Sequence, residues 1–100
     1  MSVFGDIIST SKPVLIVFYA GWHYLTEDAS TSIQQVADSL GEAVRVIKID
    51  IDRNKELTKK LQINGIPTYM IFYKGELVWR TEALQPTANL ISAIKPFIEL

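Results

Sequence analysis

The sequence predicts an α/β domain in which a mixed, four-stranded sheet carries helices on both faces. The continuous apolar run at 14–20 and the Val- and Ile-rich run at 44–51 have the length and β-branched composition of strands buried on both faces. Helical stripes of apolar residues alternate with these runs, which requires right-handed crossovers and a covered sheet. A hairpin at 68–81 adds an antiparallel edge, so the sheet is predicted to be mixed.

The first half of the chain is predicted to alternate helix, strand and helix. Apolar residues at helical spacing between Phe4 and Ile8 predict a short opening helix, which Lys12-Pro13 ends. The first apolar run follows, and the segment from Gly21 to Thr26 is predicted to turn. A second helix comes next, because apolar residues fall on one stripe and Gly41 provides a stop. That stripe consists of Ile33, Val36, Ala37 and Leu40.

The second half begins with the strand Val44–Ile51, which is also predicted to be buried. Either Asp52 or Asn54 can cap the following helix, whose inner face carries apolar residues at Leu57 and Leu61. Two further strands, 68–73 and 77–81, are joined by Lys74-Gly75-Glu76. This short link with a glycine is typical of a hairpin.

The last helix is predicted to open at Pro86, near its first turn, and to bend or fray at Pro96. Its buried side is expected to consist of Leu90, Ile91, Ile94, Phe97 and Ile98. The complete order is therefore α-β-α-β-α-β-β-α.

Length and composition restrict the classes of function. One hundred residues suffice for a single domain, predicted to span 1–100, whose core needs neither disulfides nor metal. The formal net charge is −1 without a basic run, which argues against nucleic acid and against a membrane surface as partners. The sequence shows no signal-peptide pattern and no run that approaches a membrane span, so a cytoplasmic location is expected.

The sequence contains no cysteine and one histidine, His23. The absence of cysteine excludes disulfide frameworks, thiolate catalysis and cysteine-ligated zinc or iron–sulfur clusters. A single histidine without further ligands makes a poor metal site, so neither a metal nor another cofactor is expected.

Three motifs, in this order and at these separations, resemble the thioredoxin family, small bacterial thioredoxins in particular. They are the strand and turn Val14–Trp22, the segment Ile49–Asn54, and Gly65-Ile66-Pro67-Thr68. The resemblance covers about Lys12 to Ile94. It implies the thioredoxin fold without its usual first strand, since only a short helix precedes Pro13.

The residues on which thioredoxin chemistry depends are replaced here. In the family, Trp-Cys-Gly-Pro-Cys follows the first long buried strand, and the corresponding stretch is Trp22-His23-Tyr24-Leu25-Thr26. His23 stands at the position of the attacking thiol and Thr26 at that of the resolving thiol. The family's buried aspartate corresponds to Val17, and the lysine that pairs with it corresponds to Lys48.

The resemblance implies that Lys48 is buried without its acidic partner. Such a lysine is expected either to be reactive or, more simply, to extend its stem toward Asp50, Tyr19 or water. Tyr69 and Trp79 are interpreted as aromatics of the core or of the sheet surface.

An enzymatic hypothesis places weak catalytic candidates in the turn. His23 could activate Thr26, three residues later, or the hydroxyl of Tyr24 could act on a small molecule. The sequence supplies no orienting acid and no oxyanion hole for such a site. Glu27 and Asp28 suit the positive end of the helix dipole but repel a neighbouring anion. The alternative interpretations are an exposed turn residue for His23 and a helix cap for Thr26.

The resemblance also implies a groove that binds a protein or an extended peptide. In the family, the tryptophan beside the active turn and the loop before a cis-proline form a shallow apolar groove, where backbone pairs with the peptide. The alternative is that Pro67 only sets the geometry with which its strand begins. The predicted peptide-binding residues are Trp22, His23, Tyr24, Ile66, Pro67, Thr81 and Glu82, of which Glu82 lies in a segment that usually carries glycine.

Three functions are compatible with these observations. The first is a redox-inactive thioredoxin-like domain that binds a protein or peptide. The second is an enzyme that uses His23 with Thr26 or Tyr24. The third is the family's own role, disulfide oxidoreduction in cell redox homeostasis. The absence of cysteine favours the first over the third, because disulfide exchange needs a thiol.

Overall fold

The computed structural model describes residues 3–20 and 27–98. Within them the elements follow the predicted order, and no strand precedes the first helix. The helices are α1 (Val3–Ile8), α2 (Glu27–Leu40), α3 (Lys55–Lys60) and α4 (Thr87–Ile94), with short 3₁₀ turns at Gly41–Ala43 and Lys95–Phe97. The strands are β1 (Val14–Tyr19), β2 (Arg45–Asp50), β3 (Thr68–Tyr73) and β4 (Glu76–Thr81).

The described sheet is four-stranded and mixed, as predicted. Its spatial order is β2-β1-β3-β4, with β1 parallel to β2 and antiparallel to β3. The hairpin between β3 and β4 turns through Lys74 and Gly75, whose φ angles are 52° and 86°. Two positive φ angles are what a type I′ turn requires. Glu76, predicted as part of the link, is the first residue of β4 because it pairs with Tyr73.

The core forms two layers, one on each face of the sheet. Successive side chains of a strand point to opposite faces, so the continuous apolar run of β1 supplies both layers. The layer under α2 and α4 contains Leu15, Val17, Ile33, Val36, Val44, Tyr69, Ile71, Leu90 and Ile94. The layer under α1 and α3 contains Ile8, Val14, Ile16, Phe18, Ile49, Met70 and Phe72. The prediction of a sheet covered on both faces is confirmed.

β2 lies at an edge of the described sheet and is less buried than predicted. Ile49 is its buried residue, whereas Arg45 and Lys48 are exposed. The prediction of a buried Lys48 is therefore wrong. Lys48 lies beside Val17 in the register, but its strand has a described neighbour on one side only, so the side chain reaches solvent at the rim.

α3 begins without the predicted side-chain cap. Asn54 occupies the N-cap position, but its side chain makes no capping hydrogen bond. Its Nδ2 donates instead to the carbonyl of Asp50 at 2.8 Å. Asp50 in turn closes the bend, because its Oδ1 accepts from the backbone N–H of Asp52 at 2.8 Å. The Nδ2 contact turns the amide of Asn54 toward the bend, and its Oδ1 makes no capping bond to the first turn of α3.

α3 ends in a Schellman motif at a residue other than glycine. The N–H of Gln62 donates to the carbonyl of Lys59 at 3.1 Å, and the N–H of Ile63 donates to that of Thr58 at 3.1 Å. Gln62 has a φ of 54°. This left-handed conformation is disfavoured for a residue with a Cβ.

α4 agrees with the prediction at both ends. Pro86 is its N-cap, and the helix gives way to a 3₁₀ turn that contains Pro96. Leu90 and Ile94 are buried, while the other three predicted residues are half-buried. None of the helices in residues 3–20 and 27–98 has the length and hydropathy that a membrane crossing demands.

The left-handed conformation of Gln62 generates a stability prediction. Gln62→Gly is expected to raise the free energy of unfolding by about 0.5–1 kcal/mol, because relief of the Cβ strain exceeds the entropy that glycine loses on folding. Urea denaturation measures the change. Gln62→Ala removes the same side chain but keeps the Cβ, so it is the matched control and should leave the midpoint nearly unchanged. Equal midpoints for the two variants would contradict the explanation.

Candidate functional site

The structure describes four of the predicted site residues, namely Ile66, Pro67, Thr81 and Glu82. The other four, Trp22, His23, Tyr24 and Thr26, lie outside the described residues. The enzymatic hypothesis depends on those residues and stays a prediction. Among the described residues, no group of His, Cys, Asp or Glu side chains could hold a metal ion.

The sheet register brings the four described residues to one end of the sheet. Tyr69 pairs with Thr81, so the loop that enters β3 and the segment that leaves β4 are neighbours. Phe18 pairs with Thr68, so β1 ends at the same place. We call the two segments 65–68 and 81–83 the Pro67 edge.

A hydrogen bond from a buried side chain stabilises the loop at the Pro67 edge. Thr68 is fully buried, and its Oγ1 donates to the carbonyl of Gly65 at 2.6 Å. The Ile66–Pro67 peptide bond is cis. Ile66 and Pro67 are half-buried, and within the described part of the chain the N–H and C=O of Ile66 make no hydrogen bond. Within the described part of the chain, one backbone donor and one acceptor are therefore free at this edge.

Arg80 fastens this edge to α3. Its Nη1 donates to the carbonyl of Leu61 at 2.6 Å, and its Nη2 donates to the carbonyl of Gln62 at 2.8 Å. The same Nη2 forms a salt bridge with Oε1 of Glu82 at 2.9 Å. One guanidinium thus connects the end of α3, the chain leading to Pro67 and the segment after β4. Only a planar fork with several donors can reach all three acceptors.

Sequence reasoning did not identify this role of Arg80. The available signal was a charged residue inside the apolar strand Leu77–Thr81. Its acceptors are backbone carbonyls that lie 18 and 19 residues away in sequence. Any residue type supplies a carbonyl, so no side-chain pattern reveals them.

Tyr69 carries a buried hydroxyl behind the Pro67 edge. The residue is fully buried, and its hydroxyl makes no hydrogen bond in the described part of the chain. Burial raises the pKa of Tyr69 above its ordinary value of 10.0. The backbone of Gln85 lies near enough to lower the pKa by a smaller amount, without reaching the geometry of a hydrogen bond.

Known proteins resemble this chain over most of its length. Residues 2–96 match the family model described as Thioredoxin. The chain is 33% identical over 100 residues to the chloroplastic thioredoxin Y of Oryza sativa subsp. japonica. That alignment covers 99% of this chain but 60% of the length of that protein. It is 33% identical over 96 residues to a thioredoxin-like protein of Synechocystis sp., with 95% of this chain and 91% of that protein covered. A solved structure of a mutant thioredoxin from Halobacterium salinarum aligns with a TM-score of 0.77 and 30% identity, over 97% of this chain and 84% of that chain.

The Arg80 contacts generate a second prediction. Arg80→Ala is expected to lower the free energy of unfolding by about 2 kcal/mol, because hydrogen bonds from a charged donor contribute more than neutral ones. Amide hydrogen exchange at 62–66 should accelerate as well. Glu82→Gln removes only a half-exposed ion pair and is expected to cost about 0.5 kcal/mol or less. If urea denaturation gave Arg80→Ala and Glu82→Gln the same loss of unfolding free energy, the effect would come from the salt bridge instead of the carbonyl contacts.

The buried hydroxyl of Tyr69 generates a prediction about pH. Its folded-state pKa is raised, so the unfolded chain releases this proton first and stability is lost as pH rises above about 10. Tyr69→Phe should remove this part of the loss of stability at alkaline pH. At neutral pH the variant should be about 1 kcal/mol more stable or unchanged, because it also removes a buried hydroxyl that has no hydrogen bond in the described part of the chain.

Chemical denaturation of both proteins over neutral to alkaline pH measures the two effects. The difference in unfolding free energy between variant and wild type should stay constant below pH about 9 and grow above it. Parallel curves at all pH values would contradict the raised pKa.

Proposed function

The chain belongs to the thioredoxin family, and we propose that it is a redox-inactive member that binds an extended segment of a partner protein at the Pro67 edge. Thiol–disulfide exchange proceeds by attack of a thiolate on a disulfide. The sequence contains no cysteine and therefore no group for that attack. Recognition of a polypeptide by backbone and apolar contacts needs no thiol.

The observation that carries this proposal is the free backbone of Ile66. Its N–H and C=O are without hydrogen bonds in the described part of the chain, although the residue is half-buried. Backbone polar groups in such places are normally paired, and an extended peptide offers the complementary donor and acceptor. Strand addition at Ile66 would satisfy both groups.

The surroundings of Ile66 support binding because they are held in place before a partner arrives. The Thr68–Gly65 hydrogen bond closes the loop on one side. Arg80 fastens Gln62 and Glu82 on the other. A surface that is already ordered loses little entropy on association, which favours affinity.

Glu82 places a negatively charged side chain at the Pro67 edge. By the resemblance, this segment usually carries glycine, and Glu82 puts a bulky, charged side chain there. In the structure the carboxylate is bonded to Arg80, and the side chain is 46% exposed. The charge is thus partly compensated, and the apolar surface of Ile66 and Pro67 provides the contact for the peptide.

Selection from a displayed library of random peptides, followed by NMR titration of the isotope-labelled protein, tests the proposal. We expect micromolar binders whose chemical-shift changes concentrate at 64–68 and 81–83. Exchange of the Ile66 amide hydrogen should slow on binding, because that N–H acquires an acceptor. A peptide N-methylated at the residue opposite Ile66 should bind about tenfold more weakly, since it loses one backbone hydrogen bond.

Matched variants distinguish specific binding at the Pro67 edge from non-specific hydrophobic association. Ile66→Asp should weaken binding about tenfold by placing a charge in the contact. Leu77→Asp makes the same change at an exposed leucine near the hairpin, at the far end of β4, and should have no effect. Equal losses in the two variants, or chemical-shift changes centred away from the edge, would overturn the proposal.

A further inference from the structure

A cleft of about 590 Å³ lies between α3 and the chain that leads to Pro67. Ile51 and Ile63 line it with half-buried apolar surface. Lys55 and Lys59 line it from α3, and Asn64 lines it from the loop. Apolar surface and cationic groups thus face the same concave space, which we call the α3 cleft.

Among the described residues, the two lysines of the α3 cleft have no partner of opposite charge. They stand one helical turn apart, so both ammonium groups can reach a single ligand. Neither forms an ion pair in the described part of the chain, where Arg80 and Glu82 make the salt bridge. Both side chains are exposed, so their charges are accessible to a ligand.

The other charges near the cleft leave it positive on balance. Asp52 also lines it and opposes an anion. Between positions 52 and 60 the sequence carries four basic residues and two acidic ones, of which Glu56 does not line the cleft. The carboxylate of Asp50 is occupied by backbone N–H groups of its own bend.

The α3 cleft opens at the same end of the sheet as the Pro67 edge. The N–H of Ile51 donates to the carbonyl of Tyr19 at 2.8 Å, which places this end of the cleft where β1 finishes. Asn64 precedes Ile66 by two residues, so their Cα atoms are at most about 7 Å apart. A peptide that pairs with Ile66 can therefore reach the cleft with about two further residues.

We propose that the α3 cleft binds the carboxylate of an aspartate or glutamate in the partner polypeptide, close in sequence to the residue that pairs with Ile66. This inference rests on the proposed function, because it names the chemistry of the partner that the Pro67 edge receives. Lys55 and Lys59 supply the attraction, and the apolar surface of Ile51 and Ile63 accommodates the methylene groups of the acidic side chain.

The charges favour a carboxylate over a phosphate. Lysines act as point charges and do not form the bidentate fork with which arginine selects phosphate. The lining carries two lysines against Asp52, a net charge of +1 that one carboxylate neutralises, whereas a phosphate dianion would leave an excess of negative charge. A single negative charge on a polypeptide side chain is therefore the better match.

NMR titration with an acetylated oligoglutamate peptide and an oligoglutamine peptide of equal length tests the proposal. We expect the glutamate peptide to bind about fivefold more tightly and to shift the side-chain resonances of Lys55 and Lys59. Lys55→Gln/Lys59→Gln should abolish this preference. Asp52→Asn should increase it, and added salt should reduce it.

The matched control is Lys48→Gln/Lys60→Gln. It removes the same charge from exposed lysines that do not line the α3 cleft, one of them on α3 itself, and should preserve the preference. Equal loss in both double variants would show only non-specific attraction and would overturn the proposal. Inorganic phosphate that binds as tightly as the glutamate peptide would also overturn it, because the ligand would then be a free anion.

The same titration separates the two proposals. Shifts at Ile66 that are equal for both peptides, without a response of the lysines, would reject the α3 cleft and retain the Pro67 edge. Shifts at the lysines with none at Ile66 would support the carboxylate site and reject peptide pairing at the Pro67 edge.

Discussion

From Val14 to Phe18, every side chain of β1 is withdrawn from solvent, and neighbouring side chains point to opposite faces of the sheet. A strand of this kind needs apolar partners above and below. α2 and α4 supply them on one face, and α1 and α3 supply them on the other. With both faces covered, backbone can remain open to a partner along the two edge strands of the described sheet and at the ends of the strands. The Pro67 edge and the α3 cleft both lie at such an end, where β1 finishes and β3 begins.

Arg80 makes that end a defined surface instead of a set of independent loops. It projects from β4 to the carbonyls that close α3, and it also holds Glu82 in the segment after β4. The carbonyl of Gln62 that it binds belongs to a residue in a left-handed conformation. The guanidinium therefore stabilises a helix end that has no glycine at this position, and it orients the chain that continues to Ile66.

The absence of cysteine and the presence of the thioredoxin fold have separate consequences. Thiolate chemistry depends on a few side chains in one turn, and their replacement removes it. Strand addition depends on backbone geometry that the packed sheet maintains whatever occupies that turn. In the proposed function, the N–H and C=O of Ile66, which have no hydrogen bond in the described part of the chain, are the means of recognition. The proposed role of the exposed lysines of α3 is to discriminate among partners by charge.

Local sequence patterns were sufficient to predict the elements, their order and the covered sheet. These follow from local patterns, such as the apolar run of β1, the helical stripe of Ile33 and Val36, and the glycine link of the hairpin. The sequence also pointed to Ile66 and Pro67 through the resemblance of a short motif. The predicted cap at Asn54 failed because that side chain bonds to a carbonyl in the preceding bend, and alternative acceptors of this kind leave no trace in a propensity.

The three-dimensional packing was needed to show that β2 is an edge strand of the described sheet, which exposes Lys48. It was also needed to show that Arg80 reaches carbonyls 18 and 19 residues away. It alone revealed that the backbone of Ile66 has no partner in the described part of the chain. The physical reason is the same in each case. Burial and hydrogen bonding at a position depend on which distant segments pack beside it, whereas sequence periodicity reports only the face on which a residue lies.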